Sequence, residues 1–262
     1  MKLTFLGTGT STGVPQIGCR CIVCTSTDKR DQRLRCSSLI EVEDDTAPDG
    51  VRRILIDCSP DFRQQMLSID FKRLDAILIT HEHFDHVGGL DDLRPYSIFG
   101  DVNLYAEPFC AQHLIERIPY CFTPKEKKYP GVPAINMNTI NPDVPFQLGK
   151  VTVLPLRVMH GKLPILAFRI GQLGYVTDMK TAPEETINKL KGVSTLVVNG
   201  LRHYPHPTHQ TIEEAIELSE IINCPETYLI HMSHHIGLHA DEEAALPSHV
   251  HMAYDGLEIE NL

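Results

Sequence analysis

Four side chains of metal-binding type, His81, His83, Asp85 and His86, fall within six residues of one another in the stretch ILITHEHFDHVGGL from Ile77 to Leu90. Imidazole and carboxylate are ligands that suit zinc, and also manganese or iron. Alternate residues at a strand end point the same way, so His81 and His83 can grip one ion together. Asp85 and His86 follow the turn and face a neighbouring position, which predicts two adjacent metals rather than one. A lone His-x-His is weak evidence for a metal. The full His-x-His-x-Asp-His behind an apolar strand is specific, and we read it as a metal site.

A second set of ligand types lies near the N-terminus in GCRCIVC, residues 18–24. Three thiolates as close as Cys19, Cys21 and Cys24 can wrap one tetrahedral zinc if a distant residue supplies the fourth ligand. His234 is the candidate, with His235 and the more remote His239 as rivals. A redox Cys-x-x-Cys at Cys21 and Cys24 would be expected to open a helix after a strand. Cys36, Cys58, Cys110, Cys121 and Cys224 fall in no comparable cluster and read as small apolar residues.

These ligands need strands to hold them. The apolar run Ala76–Ile79 reads as a buried strand ending at Thr80, with Gly88 and Gly89 turning the backbone behind the ligands. Further strands are predicted at 2–6, 37–42, 53–56, 151–156, 167–170, 174–178, 194–198, 227–230 and 253–259. A helix begins at 62–67, and the capping box of Thr211 and Glu214 opens another through about Ile222. His209 stands just ahead of that helix start, where free amides and the helix dipole favour an anion such as phosphate. The loop 7–13 is no dinucleotide fingerprint, because Thr12 stands where glycine is required. The stretch 101–148, with seven prolines between residues 101 and 146, is expected to form an insertion or lid with a short helix near 108–117. Lys125, Lys127 and Lys128 read as a solvated face.

The chain has 262 residues and is 42% apolar, enough for one sizeable core. Its motifs run from residue 7 to residue 256, which favours a single domain over 1–262. A net charge of −10 argues against a broad basic face, and so against nucleic acid as a partner. The apolar run at 2–6 is too short for a signal peptide, and no segment is long enough to span a membrane. The expected compartment is the cytoplasm, with the cysteines as thiols or metal ligands rather than disulfides.

The motif His81-Glu82-His83-Phe84-Asp85-His86 resembles the signature of the metallo-β-lactamase superfamily. Gly7-Thr8-Gly9, the cysteine cluster, His231-x-x-His234 and the closing Tyr254-Asp255-Gly256 narrow the likeness. They point to the branch of the phosphoribosyl cyclic phosphodiesterase of phosphonate breakdown, near the tRNA 3′-processing ribonucleases. The resemblance implies a four-layer α/β/β/α sandwich with two divalent metals at one edge of its sheets. It implies that His81, His83 and His160 hold one ion and Asp85, His86 and His231 the other, with Asp178 and a hydroxide between them. Asp57 would support the metal-binding loop from behind. Asp85, Asp178 and His209 are the expected catalytic residues, with His209 at the phosphate or the leaving oxygen. The active-site metals would be zinc, manganese or iron, and Cys19, Cys21, Cys24 and His234 would hold a structural zinc. The implied activity is hydrolysis of a small or cyclic phosphodiester, such as a ribose cyclic phosphate. An RNA-processing nuclease and a non-catalytic carrier on the same fold are the alternatives, and a homodimer would be ordinary for the family.

Overall fold

The computed structural model describes residues 1–123, 127 and 130–262. Aliphatic and β-branched runs separated by turn residues build two seven-stranded sheets among them. The first sheet contains β1 (Lys2–Gly7), β2 (Ser37–Glu43), β3 (Val51–Ile56), β4 (Ala76–Leu78), β5 (Val102–Ala106) and β6 (Ile135–Thr139). The second contains β7 (Phe146–Leu148), β8 (Val151–His160), β9 (Leu163–Ile170), β10 (Leu173–Val176), β11 (Thr195–Asn199), β12 (Glu226–Ile230) and β13 (Val250–Met252). The last strand, β14 (Glu258–Ile259), returns to pair antiparallel with β1 at the edge of the first sheet.

The sheets face each other across a core that includes Phe5, Ile54, Leu78, Leu166, Phe168, Tyr175 and Val197, all buried. Short helices cover the outer faces. On the first sheet these include α1 (Phe62–Met66), α2 (Phe84–Val87) and α3 (Pro108–Arg117), and on the second α4 (Glu184–Leu190), α5 (Ile212–Ile222) and α6 (His239–Ala245). This is the four-layer sandwich expected. β8, β10, β11 and β12 run the same way, as do β3 and β4, so the residues that follow them collect at one edge.

Several boundaries differ from expectation. The described residues of 101–148 belong to the sandwich itself rather than lying over it, and supply β5, α3, β6 and β7. Val102, Leu104 and Ala106 are buried in strict alternation, a strand signal that the nearby prolines masked. The hairpin runs through β8 and β9 as well as β10, because Pro155 is accommodated within β8. The predicted terminal strand is confined to β14, and α6 and β13 were not anticipated. Lys125 and Lys128 lie outside the described residues. Gly89 has an ordinary helical φ of −90°, so it is not there for a left-handed turn. Its backbone packs on β3's extension, where its N–H donates to the Cys58 carbonyl (2.9 Å) and a Cβ would run into the Ser59 carbonyl oxygen. Among the described residues no helix is long and apolar enough to cross a membrane.

Candidate metal centre

The end of each strand delivers one or two polar side chains to this edge. β4 leads to His81 and His83, β8 ends in His160, and Asp178 and His231 follow β10 and β12. Asp57, Asp178 and His231 share an unusual backbone, with φ of 59°, 54° and 57°. This left-handed conformation is uncommon for a side-chain-bearing residue, although aspartate and histidine adopt it more readily than most. It turns each side chain sharply off its strand toward the cleft.

Hydrogen bonds fix which imidazole nitrogens face inward. Thr80 donates its hydroxyl to Asp57 (2.9 Å to Oδ2), so its oxygen accepts the Nδ1–H of His81 at 3.0 Å. Asp57 Oδ2 also accepts the Nδ1–H of His86 at 2.7 Å. His160 donates its Nδ1–H to the carbonyls of Asp178 (2.8 Å) and Thr208 (2.9 Å). A single proton on Nδ1 of each ring leaves Nε2 to ligate. Burial opposes a second proton on His86, but Asp178, Asp57 and Asp85 outweigh it and hold that imidazole well above its usual range, so a bound cation would have to displace it. Burial lowers the His81 and His83 imidazoles, keeping them in the neutral, ligating form.

The carboxylates stay ionised. Burial pushes Asp178 up, but His231 and His86 overcome this and hold it well below the usual carboxylate range. Burial likewise opposes ionisation of Asp85, and His86 and His231 outweigh it. Two groups of donor atoms result, each within 4.8 Å: Asp85, His86, Asp178 and His231, and His160, Asp178 and His209. Asp178 belongs to both. Its Oδ1 lies 3.3 Å from His86 Nε2 and 3.1 Å from His231 Nε2, while its Oδ2 lies 3.3 Å from His209 Nε2 and 3.9 Å from His81 Nε2. His81 Nε2 and His83 Nδ1 are 2.9 Å apart, and their rings lie 5.7 and 5.2 Å from that of His160.

Divalent cations fit this set. His86 Nε2 and His231 Nε2 are buried without a hydrogen-bond partner, a costly arrangement unless a cation satisfies them. His209 sits closer to the donors than its expected role at the phosphate requires, and burial brings it down to about 4 despite Asp178.

At the N-terminal loop, Cys19, Cys21, Cys24 and His234 converge within 4.8 Å. His234 Nδ1 lies 3.3 Å from Cys19 Sγ and 3.4 Å from Cys21 Sγ. The His235 ring lies tilted against that of His234, 4.0 Å between centroids, and His239 pairs with Arg33, so neither is in the cluster. Burial raises the Cys21 thiol, but the Cys24 N–H and His234 bring it down to about 6. Cys24 is pushed up to about 11 by burial and by its thiol neighbours. The cluster thus accepts one negative charge readily and a second reluctantly, which a bound cation would reverse.

The β-lactamase superfamily domain matches residues 52–232, which spans every proposed active-site ligand. The chain belongs to the β-lactamase superfamily. This superfamily member is 36% identical to a crystal structure described as a new diphosphatase from the PhnP family, with a TM-score of 0.88 over 98% of this chain and 96% of that one. The zinc-bound PqqB of Methylobacterium extorquens shares the fold at 20% identity, with a TM-score of 0.78 and full coverage of both chains. An octanoyltransferase of Porphyromonas gingivalis is 49% identical over 259 residues, 98% of this chain and 51% of that protein. The chain therefore spans about half the length of that relative.

Sequence reasoning missed Thr80, whose hydroxyl links Asp57 to His81, and His206, which touches His209. The ligand spacing carries no trace of either. Asp57→Asn keeps the left-handed backbone that asparagine tolerates but replaces the acceptor for His86 with an amide. Its affinity for active-site metal, read by competition with a chelator, is expected to fall about 10- to 100-fold.

Proposed function

We propose that this chain is a hydrolase that cleaves a small or cyclic phosphodiester, such as a ribose cyclic phosphate, at a binuclear metal centre. His81, His83 and His160 would hold one ion, Asp85, His86 and His231 the other. The observation that carries this reading is Asp178, whose two oxygens face two different donor groups. Zinc, manganese or iron bound there would supply an activated water at neutral pH and would neutralise phosphate oxygens as charge builds on them.

The remaining work falls to the chain's own residues. Asp85 and Asp178 keep the ligand set anionic, and the Nδ1 protons on His81, His86 and His160 hold each ring in its ligating orientation. His209, beside Asp178 and just ahead of the capped start of α5, contacts the phosphate or hands a proton to the leaving oxygen. Cys19, Cys21, Cys24 and His234 leave no open position for a substrate, so a zinc there would be structural. The likeness to a diphosphatase supports chemistry at phosphorus. The charge of −10 disfavours an extended RNA, and the complete ligand set disfavours a carrier.

Metal-reconstituted protein is expected to hydrolyse bis(p-nitrophenyl) phosphate, and His209→Ala to lose roughly 10²-fold or more in kcat. Absence of turnover with zinc, manganese and iron alike, despite two bound ions, would eliminate the phosphodiesterase reading and turn attention to acyl substrates.

A further inference from the structure

Helix α3 links the two halves of the three-histidine donor group. It spans ten residues, about 15 Å of rigid rod, and its buried face of Cys110, Ala111 and Leu114 seats it on the outer side of the first sheet. Glu107 stands at its cap position but makes no capping bond. Its carboxylate turns instead to Arg157 of β8, in the second sheet. The pair is a two-pronged fork, in which Arg157 Nη1 donates to Oε2 at 2.9 Å and Nη2 donates to Oε1. β8 ends three residues later in His160. At the far end of α3, the Arg117 guanidinium donates to the Glu82 carbonyl at 2.9 Å, and His113 faces the Glu82 carboxylate at 3.5 Å. Glu82 lies between His81 and His83.

The Glu82 carbonyl and the His83 N–H belong to one planar peptide unit, so a donor that holds the carbonyl also sets the plane from which His83 departs. The loop's other bonds leave that peptide alone. Thr80 N–H donates to Asp57 at 2.8 Å, and His86 N–H donates to the His83 carbonyl at 3.0 Å. His81 is buried, whereas His83 is exposed, so packing fixes the first far more than the second. A charged guanidinium holds a carbonyl more firmly than a neutral donor does. We propose that Arg117, with the Glu107–Arg157 pair behind it, positions the three-histidine site. On this reading α3 is a splint that sets His83, carried by the first sheet, against His160, carried by the second. It acts on one ion only, because His86 and His231, which would hold the other, are partnered by Asp57 and Asp178. The inference rests on the binuclear reading above.

The test is chelator competition on the metal-reconstituted protein, which reads the two active-site affinities as separate steps. His160→Ala and His231→Ala identify the steps, since each removes a ligand from one ion. Arg117→Met is expected to weaken the His160-dependent ion about 10-fold, with the His231-dependent ion and the cysteine-site zinc bound as before. Tm should stay within about 2 °C, since the Arg117 contact lies at the surface. Arg117→Lys keeps one charged donor and should recover most of the affinity. Glu107→Gln removes the charge that faces Arg157 and should weaken the same ion by a smaller factor. Unchanged affinity in Arg117→Met would overturn the proposal. So would an equal loss at both ions, or a lysine variant as weak as the methionine one, because either would mark α3 as general scaffolding. If the wild type takes up a single active-site ion, the binuclear reading falls, and the response of that ion to Arg117→Met still decides the role of α3.

Discussion

Asp178→Asn is expected to bind no more than one active-site metal and to lose on the order of 10³-fold in kcat/KM, the upper range for removing one preorganised electrostatic contact. The argument separates charge from shape. Asp178 sits at a φ of 54°, a conformation that asparagine accepts as readily as aspartate, so the backbone has no reason to move. The Thr177 hydroxyl that donates to Oδ1 at 2.8 Å can still do so. What disappears is the negative charge between His86, His231 and His209, together with the second anionic oxygen that faces the other donor group. Metal analysis after dialysis, beside kinetics at saturating added metal, reads both effects. Full two-metal occupancy at the wild-type rate would show that Asp178 is not shared between the two donor groups.

The parts legible in the sequence were those that local pattern encodes. The apolar run before Thr80 predicted β4, the alternation of His81 and His83 predicted their convergence, and the capping box placed α5, whose Thr211 and Glu214 bond reciprocally as expected. What stayed hidden depends on the third dimension. Nothing in the identity of Asp57, Asp178 or His231 announces a left-handed backbone, because the strain is imposed by the sheets that hold them. The tautomers of His81 and His86 depend on one carboxylate brought alongside from β3, and that of His160 on two backbone carbonyls. The role of 101–148 was misread for a related reason. Its strands are short, and they are tied to the rest of the sheets only through β5 pairing with β4 and β7 with β8, so proline content outweighed the period-two burial of Val102, Leu104 and Ala106.

Cys21→Ser is expected to lose one equivalent of zinc per chain and to lower Tm by about 10 °C. The loop that carries the cysteines has little else to hold it. Ile17 and Ile22 are 98% and 69% exposed, and Val23 is the loop's main buried anchor. The loop nonetheless leads from a segment clamped to the catalytic edge: Thr10 N–H donates to the Met232 carbonyl and Met232 N–H to the Thr8 carbonyl, both at 3.0 Å, directly beside His231. Zinc binding to such ligand sets is worth roughly 10–16 kcal/mol in small peptides, against a typical total stability of about 5–15 kcal/mol. If about 4 kcal/mol of that reaches the global fold, a shift of about 2–4 °C per kcal/mol gives 8–16 °C, roughly the effect expected. The pH dependence should run in one direction. The Cys21 thiolate, brought down to about 6, contributes fully above its ordinary range near 9, and that contribution fades as pH falls through about 6. Zinc affinity at this site should fall as pH is lowered, because protons compete with the cation for the thiolates. Because the clamp at Met232 adjoins His231, the variant should also bind active-site metal more weakly without having lost any of its ligands. Unchanged zinc content and Tm would rule out a structural zinc, and intact active-site affinity in a destabilised variant would confine its influence to the N-terminal loop.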